Sequence, residues 1–175
     1  MDESELARLA ARGDQESFGE LVRRHQSGVF NVAYRLLGER REAEDAAQEA
    51  FLRAFRSIRS LDPSRPAGPW LKKITVNVCL NRLERREPLS LDEEDDLTEP
   101  EPGPEPRALE RERGRDIRRA ILSLPPRYRA AIELRHFQEL SYAEMAEALG
   151  RRLSDIKSDL FRARKLLAKY LLEME

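Results

Sequence analysis

The stretch Leu140-Ser141-Tyr142-Ala143-Glu144-Met145-Ala146-Glu147-Ala148-Leu149-Gly150-Arg151-Arg152-Leu153-Ser154-Asp155-Ile156-Lys157-Ser158 decides the fold. Ser141 followed three residues later by Glu144 predicts a capping box: the serine hydroxyl accepts from the Glu144 amide, and the Glu144 carboxylate accepts from the Ser141 amide. The helix so started is short, because Gly150 supplies the left-handed residue that ends it. After a brief turn, Leu153, Ile156, Leu160, Ala163 and Leu167 recur at steps of three and four and predict an amphipathic helix packed on the first. A capped short helix, a glycine turn and a basic amphipathic helix make a helix-turn-helix, whose second helix fits a major groove. Ser154, Asp155, Lys157, Ser158, Arg162 and Arg164 lie on its outward side and offer hydroxyls and cations to base edges and phosphates. A helical hairpin that binds only protein would show the same caps and stripe; DNA is the preferred reading.

Immediately upstream, Leu124-Pro125-Pro126 ends one helix and Arg127 to Arg135 begins another, so the helix-turn-helix belongs to a module spanning residues 107-175. The preceding stretch is different in kind. From Glu87 to Pro106 there are nine acids and no base, with Pro88, Pro100, Pro102, Pro104 and Pro106 among them. Such a segment has too little apolar area to offset the entropy of ordering it, and residues 88-106 are expected to form a flexible acidic linker. It is either a solvated spacer or a polyanionic strand that occupies a groove built for nucleic acid. The near-neutral net charge of -1 is therefore a cancellation: residues 1-86 carry +3, the acidic stretch -9 and residues 107-175 +5.

Residues 1-87 read as a second helical module. Asp14 can cap a helix carrying Phe18, Leu21, Val22, Val29, Ala33 and Leu36, and Gly38 stands where a left-handed residue ends it. The next helix, about Arg41 to Ile58, places Ala43, Ala47, Ala50, Phe51 and Ala54 at helical spacing, and its alanines permit close packing. The run Leu61 to Pro69, with three prolines and a glycine, breaks the chain before Trp70 opens a last helix to about Arg86. On that helix Lys72, Lys73, Asn77, Asn81, Arg82 and Arg85 surround the stripe Leu71, Ile74, Val78. Cations neutralise phosphates, and Trp and amides stack on and bond to unpaired bases, so this face suits single-stranded nucleic acid; an ordinary solvated face is the alternative. The expected fold is all-α: two small helical domains joined by the linker, the second a helix-turn-helix domain of three or four helices, winged-helix-like or homeodomain-like.

Composition removes other classes. Charged residues make up 37% and aromatics 6% of the 175 residues, which suits thin helical cores. No apolar run approaches the roughly 20 residues that span a bilayer, and the acidic N-terminus lacks the pattern of a secretory signal, so membrane insertion and export are not expected. Cys79 stands alone within Val-Asn-Val-Cys-Leu and reads as a small buried hydrophobe. His25 and His136 have no Cys partners at ligand spacing, so no metal is expected. No phosphate loop or nucleophile-base pair appears, and an enzyme, a cofactor and a small-molecule substrate are not expected.

Taken in order, the motifs resemble those of the extracytoplasmic-function sigma factors, the smallest class of bacterial RNA polymerase sigma subunits, over nearly the whole chain. Asp45-Ala46-Ala47-Gln48-Glu49-Ala50-Phe51-Leu52 is similar to the family's D-x-x-Q-E-x-F-L helix, and Trp70-Leu71 with Ile74 and Asn77 to its W-L-x-x-I-x-x-N segment. Leu124 to Arg129, Leu140 to Ala146, Ile156-Lys157-Ser158 and Arg162-Ala163-Arg164 match its C-terminal motifs. The resemblance implies that Asp45, Gln48, Glu49 and Leu52 dock the clamp helices of core RNA polymerase. It implies that Ser64, Arg65, Trp70, Lys72, Lys73, Asn77 and Arg82 bind the melted minus-ten element of promoter DNA. Arg151, Arg152, Ser154, Asp155, Lys157, Ser158, Arg162 and Arg164 would serve the minus-thirty-five element. An anti-sigma factor and a cytoplasmic location are further implications. A stand-alone helix-turn-helix regulator is the rival, and it would leave the Asp45-Gln48-Glu49 helix and the Trp70 loop without a job. The chain departs from the family at Ala67, usually aromatic, at Lys72-Lys73, usually Tyr-Arg, and at Asp159, usually a base. Arg151-Arg152 fill a turn that is usually apolar, and are expected to add phosphate affinity that Asp159 opposes.

Overall fold

A computed structural model describes residues 1–86 and 108–174; the expected acidic linker, 88-106, lies outside the described residues. Among the described residues every regular element is helical. The first bundle comprises α1 (Glu3–Ala11), α2 (Gln15–Leu37), α3 (Arg40–Arg56), a 3-10 turn (Ile58–Ser60) and α4 (Ala67–Arg85). The second comprises α5 (Ala108–Leu122), α6 (Pro126–Ile132), a wide π turn (Glu133–Phe137), α7 (Tyr142–Leu149) and α8 (Leu153–Glu173).

The caps place the boundaries. Asp14 accepts from the Glu16 amide and the Ser17 hydroxyl at the start of α2, and Gly38 ends it at φ +79°. The capping box at Ser141 and Glu144 forms in both directions, at 3.1 and 3.0 Å, and Gly150 closes α7 at φ +62°. The break before Trp70 is shorter than its prolines suggest. Helix α4 starts at Ala67, because Pro69 falls in the first turn, where a backbone N–H has no helical acceptor to lose.

Alanine makes the first bundle dense: Ala43, Ala46, Ala47, Ala50 and Ala54 of α3 are all buried. A small cluster of Leu6, Ala7, Ala10, Leu21, Ile58, Leu61 and Ala67 fastens α1 to this bundle, and Phe18 and Trp70 touch both it and the main core. Cys79 is fully buried as expected, and burial pushes its thiol up to about 12, so it stays protonated at neutral pH.

The main core is where the structure departs from the expectation of two separate thin cores. One continuous apolar cluster holds Val29, Leu36, Leu37 and Val78 of the first bundle together with Ile121, Leu124, Ile132, Leu134, Met145, Ile156 and Leu160 of the second. The two modules therefore share most of their large apolar side chains across one junction. Of the expected stripe on α8, Ile156, Leu160 and Ala163 are buried, but Leu153 in the first turn is 44% exposed.

Gly38 sits at the junction. A Cβ there would come within 2.8 Å of the Leu122 side chain at the end of α5, and its left-handed backbone disfavours any L side chain. Gly38→Ala is expected to cost about 1–2 kcal/mol, the penalty of a left-handed residue with a Cβ, measured as a lower urea midpoint at unchanged slope.

Candidate nucleic-acid and protein interfaces

Helix α3 presents one exposed stripe. Asp45, Gln48, Leu52 and Phe55 recur at three- and four-residue steps and all face solvent, Leu52 at 59% and Phe55 at 41%. Beside the stripe an open, apolar groove of roughly 510 Å³ runs between α2 and α3, lined by Phe18, Val22, Gln48, Phe51, Leu52 and Phe55. The Phe18 and Phe55 rings meet edge to face at 5.1 Å across it. Sequence reasoning found Asp45, Gln48 and Leu52 but assigned Phe18 and Val22 to the core and passed over Phe55. Periodicity alone cannot separate an apolar residue that fills a core from one that lines a groove.

Glu49, expected on the same face, turns away from it. Its carboxylate accepts from Arg82 Nε and Nη2 on α4 at 3.1 and 2.9 Å and from Arg53 Nη2 at 2.9 Å. The Arg82 hydrogen bonds hold the Glu49 carboxyl below the usual carboxylate range. Arg82, expected to face nucleic acid, is thus engaged in joining α4 to α3.

The loop before α4 is pre-shaped. Asp62 Oδ1 accepts from the Ser64 amide at 2.9 Å and hydroxyl at 2.7 Å, bonds that keep its carboxyl low, and the exposed Arg65 guanidinium lies 3.8 Å from the other Asp62 oxygen. Trp70 is half-buried between the two apolar clusters, so it holds the loop on the bundle while remaining partly exposed. Lys72 and Lys73 are half-buried, with the Lys72 stem beside Gly28 of α2. Asn77 Nδ2 donates to the Ala148 carbonyl of α7 at 2.9 Å and to the Lys73 carbonyl at 3.2 Å. The structure therefore brings this face of α4 against the helix-turn-helix.

On α8, Ser154, Lys157, Ser158, Arg162 and Arg164 are exposed and Asp155 is half-buried. The Arg164 Nε donates to His136 Nε2 at 3.1 Å; burial, then the Arg164 charge, pulls the His136 pKa below its ordinary value. Phe161, 68% exposed, shares the face of Ser154 and Ser158. It was overlooked because an aromatic in a helix is usually core. Two expectations are corrected here. Asp159 does not repel phosphates from the surface: it is 4% exposed, ion-paired with Arg151 and 3.8 Å from Arg127. Arg151 is accordingly spent on tying the turn to α8, which leaves Arg152, the exposed N-cap residue of α8, as the free cation of that pair. Among the described residues no group of three or more His, Cys, Asp or Glu is placed to hold a metal, and no helix is long and apolar enough to cross a membrane.

The chain matches two family descriptions: Sigma-70 region 2 over residues 21–88 and Sigma-70 region 4 over residues 114–167. It is 38% identical over 168 residues to the ECF RNA polymerase sigma factor SigE of Mycolicibacterium smegmatis, covering 92% of this chain and 65% of that relative's length. It is 34% identical over 177 residues to the ECF RNA polymerase sigma factor SigW of Bacillus subtilis, covering 93% of each. Among solved structures, CnrH in complex with the cytosolic domain of CnrY superposes with a TM-score of 0.67 at 26% identity, covering 99% of this chain and 98% of CnrH.

The Glu49–Arg82 pair makes a pH-dependent contribution to stability. Because the folded Glu49 pKa is depressed, the contribution is present above the unfolded carboxylate pKa and fades as pH falls through the lower folded value. Arg82→Met is expected to cost less than about 1 kcal/mol at pH 7, the pair being about one-third exposed, and progressively less as pH falls through the lowered folded pKa of Glu49; urea titrations at pH 7 and at successively lower pH check it.

Proposed function

Since this chain belongs to the extracytoplasmic-function sigma factors of RNA polymerase, we propose that it binds core polymerase through α3, directs it to promoters, and helps to open the DNA. The observation that carries the docking surface is the exposed Asp45-Gln48-Leu52-Phe55 stripe bordering an apolar groove. Solvent-exposed aromatics and leucines around a groove, with an acid and an amide at the rim, are the anatomy of a protein–protein contact rather than of a solvated helix. Residues 1-87 form the module that holds polymerase and the minus-ten strand, residues 107-175 the module that reads the minus-thirty-five element, and residues 88-106 the connection.

In the minus-ten module, Lys72, Lys73 and Arg65 neutralise phosphates, while Asn77 and the exposed part of Trp70 serve unpaired bases. Glu49 and Arg82 position α3 against α4, so polymerase contact and strand contact are made by one rigid unit. In the other module, α8 enters the major groove with Ser154, Lys157, Ser158 and Arg162 toward bases and phosphates; Phe161 offers an apolar face to a thymine methyl. Arg152 and Arg164 reach the flanking backbone. The free energy for opening comes from binding; the chain catalyses no reaction of its own and works in the cytoplasm, with polymerase, promoter DNA and an anti-sigma factor as partners. CnrH, the structural relative, is itself seen bound to the cytosolic domain of CnrY.

Leu52→Glu tests the docking surface. Leu52 is 59% exposed, so the fold is unaffected, and binding to purified core polymerase should weaken by about tenfold or more. Unchanged binding in a pull-down would remove α3 from the interface. On duplex DNA carrying the upstream element, Lys157→Ala should lower the slope of log affinity against log salt by about one, the loss of one phosphate contact.

A further inference from the structure

The outward side of α8 is basic, but its inward side carries an acid, Asp159, directly after the exposed Ser158. Asp159 is 4% exposed, and its Oδ2 is ion-paired with Arg151 of the preceding turn. Arg127 Nε, at the start of α6, stands 3.8 Å from the same oxygen. The two cations differ in how far they are drawn in: the Arg127 side chain is 52% exposed, the Arg151 side chain 24%. The turn closes without this pair. Gly150 supplies its left-handed residue, and the Arg151 amide donates to the Ala146 carbonyl at 3.0 Å. The pair's separate effect is electrostatic. It turns inward the charge of Arg151, which otherwise stands beside the exposed Arg152 at the start of the recognition helix.

From this arrangement we propose that Asp159 is a positioning residue that holds Arg151 off the DNA and so limits the sequence-independent affinity of the helix-turn-helix. The inference rests on the reading of α8 as the helix that meets duplex DNA. Arginine and lysine contacts to phosphate strengthen binding to any duplex and carry no sequence information, so each one lengthens the stay on DNA that is not a promoter. Arg151 is within reach of two anions there, the Asp159 carboxylate and a backbone phosphate. A phosphate that loses a guanidinium regains water and a counterion. A carboxylate buried as deeply as Asp159 regains nothing, and an unpaired buried charge is the costlier of the two outcomes. Arg151 therefore stays with Asp159 when DNA arrives, and Arg152, Lys157 and Arg162 meet the duplex without it.

The test titrates a fluorescent duplex of mixed sequence with the full chain, between about 20 and 150 mM salt, and reads the slope of log affinity against log salt. Asp159→Asn keeps the shape of the side chain and removes its charge. Its slope should be steeper than that of the wild type by about one, and its affinity at 0.15 M salt about fivefold higher, the gain from one added phosphate contact. Arg151→Gln alone should leave the wild-type slope unchanged, and added to Asp159→Asn it should restore that slope. A purely structural ion pair would move the melting temperatures of the single variants and leave the slopes alone. Circular dichroism melts accompany each variant, and Arg151→Gln alone decides the matter should Asp159→Asn fail to fold. Lys157→Ala, which lowers the slope by about one if α8 lies on DNA, separates the inference from the reading beneath it. With that control effective, an Asp159→Asn slope equal to the wild type, or a lower slope for Arg151→Gln alone, overturns the withholding of Arg151. A gain in Asp159→Asn that survives Arg151→Gln comes from another cation and overturns the assignment as well. No effect of Lys157→Ala removes α8 from the DNA, and the inference falls with that reading.

Discussion

A single guanidinium organises the middle of the molecule. Helices leave their last carbonyls without partners, and in a compact chain those carbonyls must find donors from elsewhere. Arg129 answers for two helices at once, bonding Leu122 and Leu124 at the end of α5 and Leu36 at the end of α2. Burial pulls its pKa down to about 10, still far enough above neutrality to keep the charge that two negative helix ends attract. Gly38 belongs to the same arrangement, since only a residue without a Cβ lets the end of α2 come so close to Leu122. With these ends fixed, the apolar residues of both bundles fall into one cluster.

That junction sets what the functional faces can do. The α3 stripe and its groove stand clear of it, exposed and ready for a partner. The Lys73–Asn77 face of α4 does not, because Asn77 is bonded to α7. Between the two, the Glu49–Arg82 pair makes α3 and α4 a unit. On the other module the Arg151–Asp159 pair ties the turn to α8.

Much of this was legible in the sequence because it is local. The capping box at Ser141 and Glu144, the left-handed Gly38 and Gly150, the alanine face of α3 and the amphipathic α8 each depend on residues within a turn or two, and each formed as its spacing required. The exposed residues at 45, 48 and 52 follow from the same helical period, and the order of motifs was enough to name the family. What the sequence could not fix was the partner of a long charged side chain. Arg82, Glu49, Arg151 and Asp159 reach several ångströms in any of many rotamers, and whether such a group meets solvent or another side chain depends on which helix passes nearby. Arg151 meets Asp159, eight residues on, once the turn folds back on α8; tertiary structure alone decided that Glu49 takes Arg82 and that Asn77 takes the Ala148 carbonyl across 71 residues of chain, because those pairings exist only once helices distant in sequence have packed.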